Sequence, residues 1–282
     1  MVCILNLYMA WNDNKSVSSY RPKVAILMPN IGGISMEFAN YTWTPITTQL
    51  TSWADVTPMI SRAPSLPLSR NILVESFLKS ECEYALWLDS DVILDGNPAN
   101  YAEAVLKMFR AMMDNGKSIV SGIYRAKQQH GFNYALWKRA PKEISDKGYV
   151  HVESWTGNWF KVDVVGLGFC LMRRQVLQDV HFQTQRAKEV VESVKNQYPD
   201  VFKGVYNCIT FTEPFHWESV GSISEDFWFL ERASECGHEC WVLADIKLSH
   251  SGSVVINCDP DPLKAAQVVY SGFSTAARVP KI

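Results

Sequence analysis

The chain has 282 residues, of which 47% are hydrophobic and 20% charged, and its formal net charge is −2. That composition excludes a largely disordered chain, which would lack the apolar residues to offset ordering entropy. It also excludes nucleic-acid binding through bulk basic charge, and the length allows one or two domains with a sizeable core.

In chain order, residues 1–10 are apolar but stop at Trp11-Asn12-Asp13-Asn14. With no basic n-region and no small-residue cleavage site, they read as an edge strand or packed arm, not a signal peptide. No apolar run approaches the ~20 residues needed to span a bilayer. Seven Cys, an odd number with no compact spacing, fit a reducing compartment, so a cytoplasmic location is expected. Residues 23–29 form a short apolar run ended by Pro29-Asn30, which predicts a buried strand. The Thr-rich stretch around Pro45 reads as strand or loop. Residues 58–68 carry Pro58, Pro64 and Pro67 and read as a loop. Ser69 is expected to cap a helix bearing Ile72, Leu73 and Phe77.

Residues 84–88 are a second apolar run, ended by Asp89-Ser90-Asp91. A helix over 100–114 presents Ala104, Val105, Met108 and Met112 on one face, and 119–124 is a further strand. Strands alternating with helices predict an α/β fold with a mostly parallel sheet. Val162 and Val164 alternate before Gly166-Leu167-Gly168-Phe169, which leads into Cys170-Leu171-Met172 and a short helix from Arg173. Residues 183–200 are polar and helical in character. Ser224 begins a helix that Gly237 ends, and 241–248 is a strand followed by His250-Ser251-Gly252. With no repeat, low-complexity tract or linker, one domain over 1–282 is expected, with an arm at 1–22 and an extension at 256–282.

Two carboxylates after a buried strand lie at its carboxyl end, where ligands bind in open α/β sheets. On an extended segment Asp89 and Asp91 would face the same side, and their repulsion would be relieved by a hard divalent ion bridging to a diphosphate. A capped turn with solvated carboxylates is the alternative. Asp226, in the first turn after Ser224, is favoured there by the helix dipole. Facing a cleft, it would be a general base toward an acceptor hydroxyl. His250 is a candidate ligand for Mn²⁺. Cys236-x-His238-x-Cys240 does not have a recognised zinc spacing.

Taken together these segments resemble the nucleotide-sugar glycosyltransferases of the GT-A fold, with family-2-like features, over about residues 23–255. The resemblance is carried by the strand ending at Asn30, by Ser69-Arg70-Asn71 followed by Leu86-Trp87-Leu88-Asp89-Ser90-Asp91, by residues 165–174, and by Ser224-Glu225-Asp226-Phe227 through His250-Ser251-Gly252. It implies a Rossmann-like mixed sheet and a metal, Mn²⁺ or Mg²⁺, held by Asp91 and His250 with Asp89. It implies that Pro29, Asn30, Arg62, Arg70, Ser90, Gly166, Gly168 and Ser251 meet the donor. Trp155, Trp159 and Glu225 would meet a glycan acceptor, and Asp226 would be the base of an inverting enzyme. The donor would be a UDP-sugar. The run into Asp89-Ser90-Asp91 is also similar to retaining mannosyltransferases using GDP-sugars, so the stereochemistry stays open. A sugar nucleotidyltransferase is a further alternative, with Gly32-Gly33 a thin phosphate loop. A non-catalytic carbohydrate-binding module built on Trp platforms is another.

Overall fold

The computed structural model describes residues 20–30, 38–94, 101–124, 134–145, 148–197, 214–215, 224–250, 255–256 and 266–267. The expected arm at 1–10 and Gly32-Gly33 lie outside them. Strand β1 (Lys23–Asn30) is buried after its first residue. It pairs in parallel with β2 (Asp55–Arg62) on one side and with β3 (Tyr84–Leu88) on the other. β3 is buried throughout. Strands covered on both faces read as unbroken apolar runs, which is why β1 and β3 stand out in the sequence. The loop expected from residue 58 begins later than that, because β2 continues through Pro58 to Arg62. Among the described residues β2 ends the row of paired strands, and an edge strand tolerates proline because some of its N–H groups have no ladder partner.

The Thr-rich stretch is helical, not strand or loop. A π-helical turn (Ala39–Trp43) runs into α1 (Thr44–Leu50), with Pro45 in the first turn, where no N–H is needed. The Thr47 and Thr48 hydroxyls each donate to a carbonyl one turn back, Trp43 and Thr44, at 2.7 Å. That local bonding lets β-branched residues sit in a helix. Helix α2 (Leu66–Lys79) begins after Ser65 and has Pro67 in its first turn, so Ser69 is not its cap. Ser69 lies inside the helix, where its Oγ donates to the Ser61 carbonyl at 3.0 Å and ties α2 to β2.

β4 (Val92–Leu94) precedes α3 (Tyr101–Asp114), whose expected apolar face is buried, and β5 (Ile119–Tyr124). A small antiparallel sheet follows, β6 (Leu136–Arg139), β7 (Tyr149–His151) and β9 (Val164–Val165), in the order β7-β6-β9. β8 (Trp159–Val162) joins the main sheet instead. β10 (Phe169–Arg173) enters α4 (Arg174–Gln197), one 24-residue helix where two shorter ones were expected. α5 (Glu225–Glu235) follows Ser224 as expected. It ends at Gly237, whose φ of 87° is left-handed, the conformation glycine adopts without a Cβ penalty. Its sequel is the long β11 (Cys240–His250), followed by β12 (Val255–Ile256) and β13 (Ala266–Gln267).

The main sheet runs β13-β12-β11-β5-β10-β3-β1-β2, and β4 and β8 also pair with β11. β2, β1, β3, β5 and β11 run in one direction, and β10 is inserted antiparallel between β3 and β5. Helices α2, α3 and α4 pack on this sheet. It is an α/β fold with a mixed, mostly parallel central sheet flanked by helices, consistent with the Rossmann-like GT-A architecture. β11 and β5 lose register between Val242 and Lys247, so residues 243–246 stand opposite Gly122 alone. A Cβ on Gly122 would lie 2.8 Å from Ile246 Cγ2 and 2.9 Å from the Ile246 carbonyl, so the bulge needs glycine beneath it. Among the described residues no helix is long and apolar enough to cross a membrane.

The Cys-x-His-x-Cys segment has a structural explanation. His238 Nδ1 meets Ser118 Oγ and Nε2 meets Asp179 Oδ2, each at 3.0 Å, and Cys240 is buried. The imidazole bridges the start of β5 to α4. At the far end of α2, the Arg174 guanidinium donates to the carbonyls of Phe77, Leu78, Ser80 and Cys82 at 3.3, 2.6, 3.0 and 2.8 Å. They lie in the last turn of α2 and in the segment just after it, where helix carbonyls lack intrahelical partners. Arg174→Ala should therefore lower stability by about 1.5–3 kcal/mol in denaturant unfolding, the range for charged hydrogen bonds. Arg174→Lys should recover only part of it, because an ammonium lacks the planar fork.

Candidate active site

The five co-directional strands end at one edge, and several of the sequence-predicted site residues stand along it. β1 ends at Asn30, whose register partner on β2 is Arg62. Pro29 and Asn30 are buried, and Arg62 is exposed. Asp89 follows β3, β5 ends at Tyr124, and β11 ends at His250.

Asp89-Ser90-Asp91 is a turn and not an extended segment. The Val92 N–H donates to the Asp89 carbonyl at 3.2 Å. The same-side argument for the two carboxylates therefore does not apply. The turn sends Asp89 to Arg70 and leads through the half-buried Ser90 and Asp91 into β4. β4 pairs antiparallel with the end of β11, with Val92 opposite His250. Directly opposed residues have Cα atoms about 4.5–5.5 Å apart. The pairing thus sets the His250 backbone beside the residue that follows Asp91, which sequence spacing alone could not establish. The side chain of His250, and Ser251 altogether, lie outside the described residues.

Arg70 occupies the centre. Its side chain is 1% exposed and sits between Asp89 (3.2 Å), Glu225 (3.4 Å) and Asp226 (3.5 Å). Its Cζ lies 5.2 Å from the centroid of the Trp87 ring and 5.7 Å from that of Phe215. Burial lowers the guanidinium pKa, but Asp89, Asp226 and Glu225 more than offset this and hold it firmly charged. Arg70 was expected at the donor, yet its position commits it to the carboxylates beneath the edge. Glu225, expected at the acceptor, is likewise buried and pairs with Arg70. Neighbouring residues of α2 brace the guanidinium: Asn71 exchanges two hydrogen bonds with the Phe215 backbone, at 3.0 and 2.9 Å.

Asp226 is the partner left least satisfied. Its Oδ2 accepts the Leu167 N–H at 3.2 Å, while Oδ1 is buried without a hydrogen-bond partner among the described residues. Burial, then the Glu225 and Asp89 charges, push its pKa well above the ordinary carboxylate value, and Arg70 only partly counters them. Among the described residues no three His, Cys, Asp or Glu side chains form a metal-holding group, and the Arg70 guanidinium fills the point where three carboxylates meet.

Gly166 and Gly168 are explained by Tyr124. A Cβ on Gly166 would collide with Tyr124 Oη and lie 2.8 Å from its Cζ, and one on Gly168 would lie 3.0 Å from that Oη. Tyr124 is a site residue that the sequence reading missed. Its signal was its position as the last residue of a predicted strand on this edge. The two tryptophans expected at an acceptor are occupied by other rings. Trp155 stacks on Phe160 at 5.2 Å, and Trp159 stacks on Trp241 at 5.0 Å. Trp159 pairs with Leu243, toward the opposite end of β11 from His250.

No protein-family model and no curated protein matches the chain. Among solved structures, A197 from STIV is similar over 91% of this chain and 98% of its own, at 14% identity and a TM-score of 0.51. At that identity the likeness shows a shared fold. Weaker likenesses are to a mannose-1-phosphate geranyltransferase from Thermus thermophilus (13% identity, 80% of this chain and 74% of that one, TM-score 0.40) and to a glycosyltransferase involved in the glycosylation of the major capsid of PBCV-1 (14%, 79% and 92%, 0.34).

Two outcomes follow from this geometry. Because the Asp226 pKa is raised in the folded state, the native protein holds an extra proton between the ordinary value of about 4 and the folded value, and stability falls as pH rises through that window. Asp226→Asn should thus raise the melting temperature at neutral pH, with the gain shrinking toward pH ~4. A lower melting temperature for this variant at neutral pH would contradict the assignment. Gly166→Ala should cost about 1–3 kcal/mol by overpacking, and adding Tyr124→Leu should return part of that loss in the same unfolding assay.

Proposed function

We propose that the chain is a metal-dependent glycosyltransferase that moves a sugar from a nucleotide-sugar donor, a UDP-sugar in the first instance, to a hydroxyl of a glycan acceptor. The observation that carries this reading is convergence. The ends of β1, β2 and β11 at Asn30, Arg62 and His250, the turn at 89–91 after β3, and Asp226 at the start of α5 stand at the carboxyl edge of one sheet, with β4 pairing Val92 to His250. Fold alone does not assign chemistry, so the reading rests on these residues. Their contribution to one edge also supports one catalytic domain.

Carboxylate oxygens and an imidazole nitrogen are donors that Mg²⁺ or Mn²⁺ accepts. Asp91 and His250 would hold the ion, with Asp89 beside them, and when bound it would neutralise the leaving diphosphate. The chain's own residues do the rest. Pro29, Asn30 and Arg62 would meet the nucleotide, the last as a guanidinium suited to an anion. The Oδ1 of Asp226 would take the proton of the acceptor hydroxyl as its oxygen bonds to the anomeric carbon and the bond to the diphosphate breaks. The products are a glycoside and a nucleoside diphosphate. A raised pKa brings a carboxylate nearer the working pH, where a general base is most effective.

UDP with Mn²⁺ should raise the melting temperature, as a ligand that binds only the native state does, and Asp91→Asn should abolish that shift. Asp226→Asn should keep the shift and lose turnover. The acid limb of the pH–rate profile should lie above pH ~4, the ordinary carboxylate value. Release of pyrophosphate instead of UDP would indicate nucleotidyl transfer. If no nucleoside diphosphate with any divalent ion shifts the melting temperature, the proposal fails.

A further inference from the structure

The turn at residues 166–168 touches both sides of the site. The Leu167 N–H donates to Asp226 Oδ2 at 3.2 Å. The Gly168 carbonyl accepts the Asp89 N–H at 3.0 Å. One short turn therefore joins the carboxylate opening α5 to the carboxylate closing β3. Tyr124 grips this turn from two directions. Its Oη accepts the Gly168 N–H at 2.9 Å. Its carbonyl accepts the Ala135 N–H at 2.8 Å, and the Ala135 carbonyl accepts the Gly166 N–H at 2.9 Å. The ring packs where side chains on Gly166 and Gly168 would otherwise stand.

We propose that Tyr124 is a positioning residue: by clamping the turn at 166–168 it sets the separation between Asp89 and Asp226. Tyr124 need not touch the substrate to matter. Asp226 is aimed by a backbone N–H of the turn and Asp89 is anchored by the turn's carbonyl, so any slack at Gly168 is shared by both. Burial, with the Asp226 and Asp89 charges, raises the phenol pKa well above its ordinary value. The hydroxyl therefore stays neutral, and its acceptor role toward Gly168 holds across the working pH range. For its kinetic consequence the proposal rests on the transfer reading above. For its structural consequence it does not.

Tyr124→Phe in the full chain tests it, because it removes one oxygen and keeps the ring. Amide hydrogen exchange should show the Gly168 N–H losing protection. The Leu167 and Asp89 amides, neither of which bonds Tyr124, should also exchange at least about tenfold faster, the factor that 1.4 kcal/mol of local opening produces. The Ala135 amide, which bonds the Tyr124 carbonyl, should be unchanged. Tyr124→Met reads the same pattern if the Phe variant is too unstable to measure. Acceleration at Gly168 alone, or equal acceleration of every amide, overturns the proposal. With a nucleotide-sugar donor, kcat should fall about ten- to a hundredfold, the scale of a catalytic group misplaced by up to an ångström, while the donor KM is retained. Should the wild-type protein turn over no donor, the transfer reading fails and the exchange pattern still decides the role of Tyr124.

Discussion

A buried cation organises this protein. The Arg70 guanidinium, 1% exposed, could not remain charged in an apolar interior without anionic partners, since an isolated buried charge is far too costly. Three carboxylates from two distant parts of the chain supply them: Asp89 after β3, and Glu225 and Asp226 opening α5. Trp87 and Phe215 wall the group in and add cation–π attraction. The arrangement specifies more than it stabilises. Such networks are often no more stable than well-packed apolar residues would be, but taking the cation out of one, which leaves its carboxylates unpaired, is expensive. Once α2 delivers Arg70, the ends of β3 and α5 have one low-energy way to meet.

Sheet topology gives that meeting its location. Inserting β10 antiparallel between β3 and β5 brings the start of β10 to the edge where the parallel strands finish. The turn preceding β10 is thus delivered into the same crevice as Asp89 and Tyr124. An all-parallel order would have sent that turn to the opposite edge. The small sheet of β6, β7 and β9 then packs beside it, and α5 contacts β9. The carboxylate pair so assembled is uneven. Asp89 is more exposed than Asp226, at 26% against 18%, and burial raises the Asp226 pKa. Neighbouring carboxylates with different surroundings are how one site separates two roles.

Much of this frame is legible in the sequence. β1 and β3 are unbroken apolar runs because both of their faces are covered, and α3 and α5 announce themselves by periodicity and by a Ser–Gly pair of boundaries. Where the reading departs from the structure, local chemistry had more than one outlet. The threonines near Pro45 have β propensity, but their hydroxyls bond within α1. Ser69 has the chemistry of a cap, but Pro67 already fits the first turn, and the hydroxyl bonds Ser61 instead. In the site, residue types and their order along the chain suggest Asp89, Asp226 and His250, each standing at the end of a strand or the start of a helix. The burial of Arg70 is not legible. An arginine reads as a surface anion binder until the three-dimensional surroundings reveal carboxylates already in reach. Tyr124 is hidden for a related reason, since its work is done on backbone amides that no sequence pattern displays.

The bulge in β11 has a consequence of parity. Along a strand, successive residues take alternate faces, so everything beyond residues 243–246 owes its face to how many residues the bulge contains. Gly122 accommodates the bulge as it stands. Adding or removing one residue there would exchange the faces of Leu248 and Ser249 while leaving Cys240 and Trp241 untouched. The amino half of β11, paired with β8, would keep its place in the core, and the half paired with β4 would present its other side to Val92. Length in this short segment is therefore under a constraint that composition is not. Side chains there can vary within the limits of packing, but the count of residues fixes which face Leu248 and Ser249 take.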